Sequence, residues 1–117
     1  MIRLLFAVDS ATVCERLQAL FEQDPDIEVV GQVTDPVDVL LAVNEMQVDV
    51  VVQTWPQSGK PPGFVSTLLA EYPDLLVIGI PPRQDRAYAC RQRIARTKLP
   101  TIEDLIPEIH RWVPAAK

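Results

Sequence analysis

At Val48-Asp49-Val50-Val51-Val52 four of five successive residues are valine. Polar and apolar positions do not alternate there. A short, unbroken, β-branched run of this kind reads as a strand covered on both faces, the middle of a parallel sheet. In open α/β sheets, ligand binding or chemistry sits just beyond the carboxyl ends of such strands. Gln53, Thr54 and Trp55 occupy that position, so the chain presents a hydroxyl and an indole there rather than a carboxylate.

The same patterning organises the rest of the chain. Residues 2–8 are a strand ending on Asp9. Ser10 caps a helix over about 11–23, whose Val13, Leu17, Leu20 and Phe21 form one core-facing stripe. Asp24-Pro25-Asp26 breaks it, and Ile27 to Val33 is a second strand. Thr34 or Asp35 caps a helix with Pro36 at its first position, running to about Met46. Strand three covers 48–53. A loop stiffened by Pro56, Pro61 and Pro62 leads to a helix over about 64–71. Tyr72-Pro73-Asp74 stops it, and Leu75 to Ile80 is a fourth buried strand ended by Pro81-Pro82. Residues 83–93 read as a basic helix, and 94–97 as a short, weak fifth strand. Thr101 and Asp104 resemble a capping box for a last helix striped by Ile102, Leu105, Ile106, Ile109, Trp112 and Val113. Pro107 inside that stripe either kinks the helix or delays its start. Strand and helix alternate five times, which predicts a parallel sheet with helices on both faces and one domain over 1–117.

Composition narrows the function classes. The net charge of −5 disfavours nucleic acid as a partner. The charge is uneven, however. Arg83, Arg86, Arg91, Arg93, Arg96 and Lys98 stand against Asp85 alone over residues 83–98, a net +5, which leaves −10 on the remainder. No 18-residue apolar run is present, so no membrane span is expected, and the apolar start is too short for a cleaved signal peptide. Cys14 and Cys90 have no metal-binding spacing and read as free thiols in a reducing cytoplasm. No Gly-rich phosphate loop occurs, His110 reads as a lone surface histidine, and no catalytic residue or cofactor is expected.

Several stretches carry a family resemblance: Met-Ile-Arg-Leu-Leu at the start, Pro25-Asp26-Ile27-Glu28-Val29-Val30-Gly31, Val48-Asp49-Val50-Val51-Val52, and Tyr72-Pro73-Asp74-Leu75. In these the chain resembles the receiver domain of two-component response regulators. The resemblance implies a flavodoxin-like three-layer sandwich with a five-stranded parallel sheet in the order 2-1-3-4-5. It also implies a phosphorylation pocket, and there the match fails. The family's acidic pair corresponds to Val8 and Asp9, its phosphoacceptor aspartate to Thr54, its conserved hydroxyl to Pro81, and its lysine to Lys98. An acyl phosphate forms on an ionised carboxylate, whereas a threonine hydroxyl needs a base. Mg²⁺ wants several oxygens with carboxylate charge among them, and Asp9 is at most a residual ligand.

The reading is therefore a degenerate receiver, not an enzyme, that works in cytoplasmic signal transduction through protein–protein interaction. Asp9 is either a leftover ligand or a helix cap, and Lys98 either pairs with Asp9 or faces solvent. Trp55 either plugs the empty pocket or awaits a partner. The basic stretch is either a solvated face or, as the resemblance implies, part of a docking surface over 83–113 for an acidic partner or a second copy. Arg83, Arg86, Arg91 and Arg93 are its candidate contacts. Two alternatives stay open: an atypical but active phosphorelay receiver, and a small-ligand sensor using the cleft past strands one and three.

Overall fold

Val50, Val51 and Val52 have no exposed surface in the computed structural model, and the sheet is laid down on either side of them. The structure describes residues 2–9, 11–55, 63–81, 87–91, 94–99 and 105–113. Along these the chain runs β1 (Ile2–Ala7), α1 (Ala11–Glu22), β2 (Ile27–Gln32), α2 (Pro36–Met46), β3 (Val50–Thr54), α3 (Gly63–Glu71), β4 (Leu76–Ile80), β5 (Ala87–Arg91), β6 (Ile94–Leu99) and α4 (Leu105–Trp112). The sheet order is β2-β1-β3-β4-β5-β6. The flavodoxin-like α/β arrangement and the order 2-1-3-4-5 are as expected.

The far edge of the sheet corrects two expectations. Residues 87–91, read as part of a helix over 83–93, form a strand, and the expected strand at 94–97 becomes a sixth one, Ile94–Leu99. β1, β2, β3 and β4 pair in parallel, but β5 is antiparallel to β4 and β6 antiparallel to β5. The sheet is mixed rather than wholly parallel. The reason is chain length: a parallel crossover needs about a dozen residues or more, and only residues 81–86 separate β4 from β5. The side chains agree, since Ala87 and Ala89 are buried while Tyr88 and Cys90 are half-buried, an alternation of period two.

Each face of the sheet has its own core. On one, Leu4, Phe6, Val50, Val52 and Ile78 meet Cys14, Leu17 and Phe21 of α1 and Leu105 and Ile109 of α4. On the other, Leu5, Val51 and Val77 meet Val39 and Val43 of α2 and Val65, Leu68 and Leu69 of α3. The β1–β3 register is pinned at Asp49, whose carboxylate accepts from the Arg3 backbone N–H at 3.0 Å while its own N–H donates to the Arg3 carbonyl at 2.8 Å.

Helix boundaries follow local chemistry. Asp35 rather than Thr34 caps α2, its carboxylate accepting from the Val37 N–H at 2.8 Å, with Pro36 at the first helical position where no intrahelical donor is needed. The last helix begins at Leu105, so Pro107 falls in its first turn and removes no helical hydrogen bond. Thr101, Ile102 and Asp104 lie outside the described residues, as does Ser10.

Candidate functional site

The carboxyl ends of β1, β3 and β4 converge on one end of the sheet. The pairings Ala7–Gln53, Gln53–Gly79, Gly79–Tyr88 and Tyr88–Lys98 make one row across five strands. Val8, Asp9, Thr54, Trp55 and Pro81 follow directly from the β1, β3 and β4 members of that row.

Thr54 is half-buried, and its Oγ1 accepts a hydrogen bond from the Asp9 backbone N–H at 3.1 Å. The hydroxyl thus ties the end of β3 to the start of the β1–α1 loop. Asp9 itself is exposed. Val8 is 2% exposed and belongs to the core shared with α1 and α4, while Pro81 is buried and offers no donor. The structure therefore brings Asp9 and Thr54 together, with Val8 serving as packing. Lys98 lies opposite Tyr88 in β6, and its side chain lies outside the described set, so the expected Asp9–Lys98 pair does too. Arg83, Arg86 and Arg93 also lie outside the described residues, and Arg91 is placed only through its backbone in β5. A helical docking face over 83–93 is not what residues 87–91 form.

Trp55 is 1% exposed and packs with the α2 and α3 core. Its backbone N–H donates to the Ile80 carbonyl at 3.0 Å, and its ring stacks on Tyr88 with centroids 5.8 Å apart and planes 9° from parallel. The indole covers Gly79 so closely that a Cβ there would fall 1.8–2.3 Å from three ring atoms. Beside it Gln53 is 2% exposed, and among the described residues neither its amide oxygen and nitrogen nor the Trp55 Nε1 finds a hydrogen-bond partner. Buried polar atoms left unpaired cost about 1–3 kcal/mol each, which makes this the least satisfied place in the described interior.

The opposite end of the sheet holds a second polar group. His110, expected as a surface histidine, comes from α4 and meets Asp24 Oδ2 through its Nε2 at 2.5 Å, with side-chain exposures of 32% and 11%. The hydrogen bond from His110 holds the Asp24 carboxyl below its ordinary range, helped by the Asp26 N–H and opposed by burial. Nothing in the sequence pattern joins positions 86 residues apart. A signal for Gly79 did exist, because glycine inside an apolar strand often marks a close approach. Neither Cys14 nor Cys90 is in a disulfide, and burial followed by the charge of Glu15 pushes the Cys14 thiol up. A surface hollow along Ser66, Thr67, Ala70 and Glu71 lies on the exposed side of α3, on none of the strand ends. No described helix is long and apolar enough to cross a membrane.

Comparison with known proteins gives a partial likeness. The chain is 43% identical over 51 residues to protein-glutamate methylesterase/protein-glutamine glutaminase 3 of Syntrophomonas wolfei, a stretch that is 44% of this chain and 14% of that one. It is 42% identical over 50 residues to the protein-glutamate methylesterase/protein-glutamine glutaminase of Hydrogenovibrio crunogenus, covering 43% of this chain and 13% of the relative. No family model matches, and no solved structure matches. The chain is thus an α/β domain of flavodoxin type with partial similarity to these methylesterases, of whose length the match spans about one seventh.

Proposed function

We propose that this domain acts in cytoplasmic signal transduction by binding another protein, without accepting a phosphoryl group itself. The observation that carries the reading is the bond from the Asp9 N–H to Thr54 Oγ1. At the position where the resembled family keeps its phosphoacceptor, this chain uses a hydroxyl as a structural hydrogen-bond acceptor. An oxygen held this way, in a residue that is not ionised at neutral pH, is a poor nucleophile. Val8 and Pro81 support the same reading, because buried apolar side chains stand where the family places an acid and a hydroxyl. Asp9 alone is a weak anchor for Mg²⁺.

Incubation with acetyl phosphate and Mg²⁺, followed by intact-mass measurement, tests the proposal. No phosphoryl adduct is expected, and a stoichiometric adduct would reinstate the active-receiver reading. The partner side of the proposal rests on the +5 segment at 83–98 in a chain of net charge −5. Association with an acidic partner or a second copy should weaken between about 50 and 500 mM salt as the screening length falls to a few ångströms. Sedimentation of wild type and an Arg86→Glu/Arg93→Glu variant reads the homodimer form directly, and identical masses throughout exclude it.

A second reading, small-ligand sensing, is favoured by the unpaired Gln53 amide and Trp55 Nε1. Trp55 emission in a Trp112→Phe background, titrated with small amides and nucleosides, should change saturably if it holds. A flat response across the panel sinks it.

A further inference from the structure

At the end of the sheet remote from Thr54, Asp24, Asp26 and His110 each offer one ligand atom, and these atoms all lie within 4.8 Å of one another. We propose that they form a binding site for a divalent transition cation, Zn²⁺ being the best fit, which clamps the last helix to the turn between α1 and β2.

The donor set is what separates this group from a patch of surface acids. An imidazole from α4 is brought onto a carboxylate 86 positions earlier in the chain, and a second carboxylate stands next to both. Imidazole with two carboxylates suits Zn²⁺ or its first-row neighbours, whereas Mg²⁺ and Ca²⁺ favour all-oxygen shells. Three protein ligands with a water in the fourth position is an ordinary open tetrahedral arrangement for zinc.

The aspartates sit on backbone that is already held. The Asp24 N–H donates to the Phe21 carbonyl at 3.1 Å, its carbonyl accepts from the Ile27 N–H at 3.3 Å, and the Asp26 carbonyl accepts from the Ile2 N–H at 2.7 Å. Within the group, Asp24 Oδ1 accepts from the Asp26 N–H at 2.9 Å, which orients its other oxygen toward His110. A hydrogen bond to the second oxygen of a ligating carboxylate is the usual way such ligands are aimed. Zinc bonds of about 2.0–2.2 Å set tetrahedral ligand atoms a little over 3 Å apart. Starting from 2.5 Å between Asp24 and His110, the pair need open by less than the rise of one helical residue, about 1.5 Å. The Asp26 carboxylate has no hydrogen bond or ion pair of its own among the described residues, so the fold gives it no other task.

That last fact makes the test clean. Untagged protein stripped with EDTA is titrated with ZnCl₂, with stoichiometry read by calorimetry and stability by thermal melting, and Co²⁺ serves as a spectroscopic probe of geometry. One ion per chain is expected, with a saturable rise in melting temperature by linkage and intense Co²⁺ absorption bands of a tetrahedral site. Asp26→Asn should leave the metal-free melting temperature unchanged and weaken zinc at least about tenfold, the low end of what even supporting residues of metal sites contribute. His110→Ala should abolish the Co²⁺ bands. No saturable binding, or binding unaltered in both variants, overturns the proposal.

Discussion

Adding a single methyl group at Gly79 is the sharpest probe of this fold. In Gly79→Ala the new Cβ would lie 1.8–2.3 Å from three indole carbons of Trp55, whereas carbon atoms rest about 3.5–4.0 Å apart. The indole must therefore shift by well over an ångström. It has little room to do so, being 1% exposed and stacked on Tyr88. Overpacking of this sort costs about 1–3 kcal/mol. Complete expulsion of the ring sets the ceiling, about 4–6 kcal/mol for an aromatic burying 150–250 Å² at 25 cal/mol/Å². A loss of roughly 2–4 kcal/mol is expected, a large part of the ~5–15 kcal/mol that stabilises a domain. At about 4 °C per kcal/mol for a chain of this size, the melting temperature should fall by some 8–16 °C. Urea unfolding, followed by Trp emission and by circular dichroism, measures both the cost and the change in indole environment. The same substitution in a Trp55→Leu background isolates the cause, because the smaller side chain leaves space for the methyl. There it should cost less than about 1 kcal/mol, giving the non-additivity expected of residues in contact. An equal cost in both backgrounds, or none in either, would refute the placement of the indole over Gly79.

Val51→Asp puts an unpaired carboxylate into a residue with no exposed surface, at a cost of several kcal/mol, and should leave no cooperative unfolding transition; a near-native melt would show that β3 is not central. Asp35→Ala removes the acceptor for the Val37 N–H and should lower stability by about 1 kcal/mol in chemical denaturation; no change would mean that α2 is capped otherwise. Cys14 is buried and its thiol is raised, so less thiolate is present at any given pH. A thiol reagent at pH 8 should modify Cys14 much more slowly in the folded chain than in urea, and equal rates would contradict its burial.

The flavodoxin-like layering was legible because each of its causes is local. Uninterrupted valine at 50–52 announces a strand covered on both sides, and the Val13, Leu17, Leu20 and Phe21 spacing announces a helix with one buried stripe. Capping is local as well, so Thr34 or Asp35 ahead of Pro36 marks the start of α2 in the sequence, and the structure selects Asp35. The strand at 87–91 was missed because its arginine-flanked, short apolar positions suit a helix as readily as a strand. Neighbouring β4 decides between them, since residues 81–86 are too few for a crossover back to a parallel strand.

The site divides in the same way. That Val8, Thr54 and Pro81 carry no carboxylate is a property of residue identity, legible in the sequence; their correspondence to an acid, an aspartate and a hydroxyl is what the resemblance implies. What Thr54 does with its oxygen is set by the Asp9 N–H, 45 positions away, and only folding supplies that partner. The indole over Gly79, the unpaired Gln53 amide and the meeting of Asp24 with His110 are likewise decided by tertiary structure. Their common physical reason is range. Periodicity and capping act over a few residues, whereas sheet register and helix docking bring together side chains that no pattern along the chain connects.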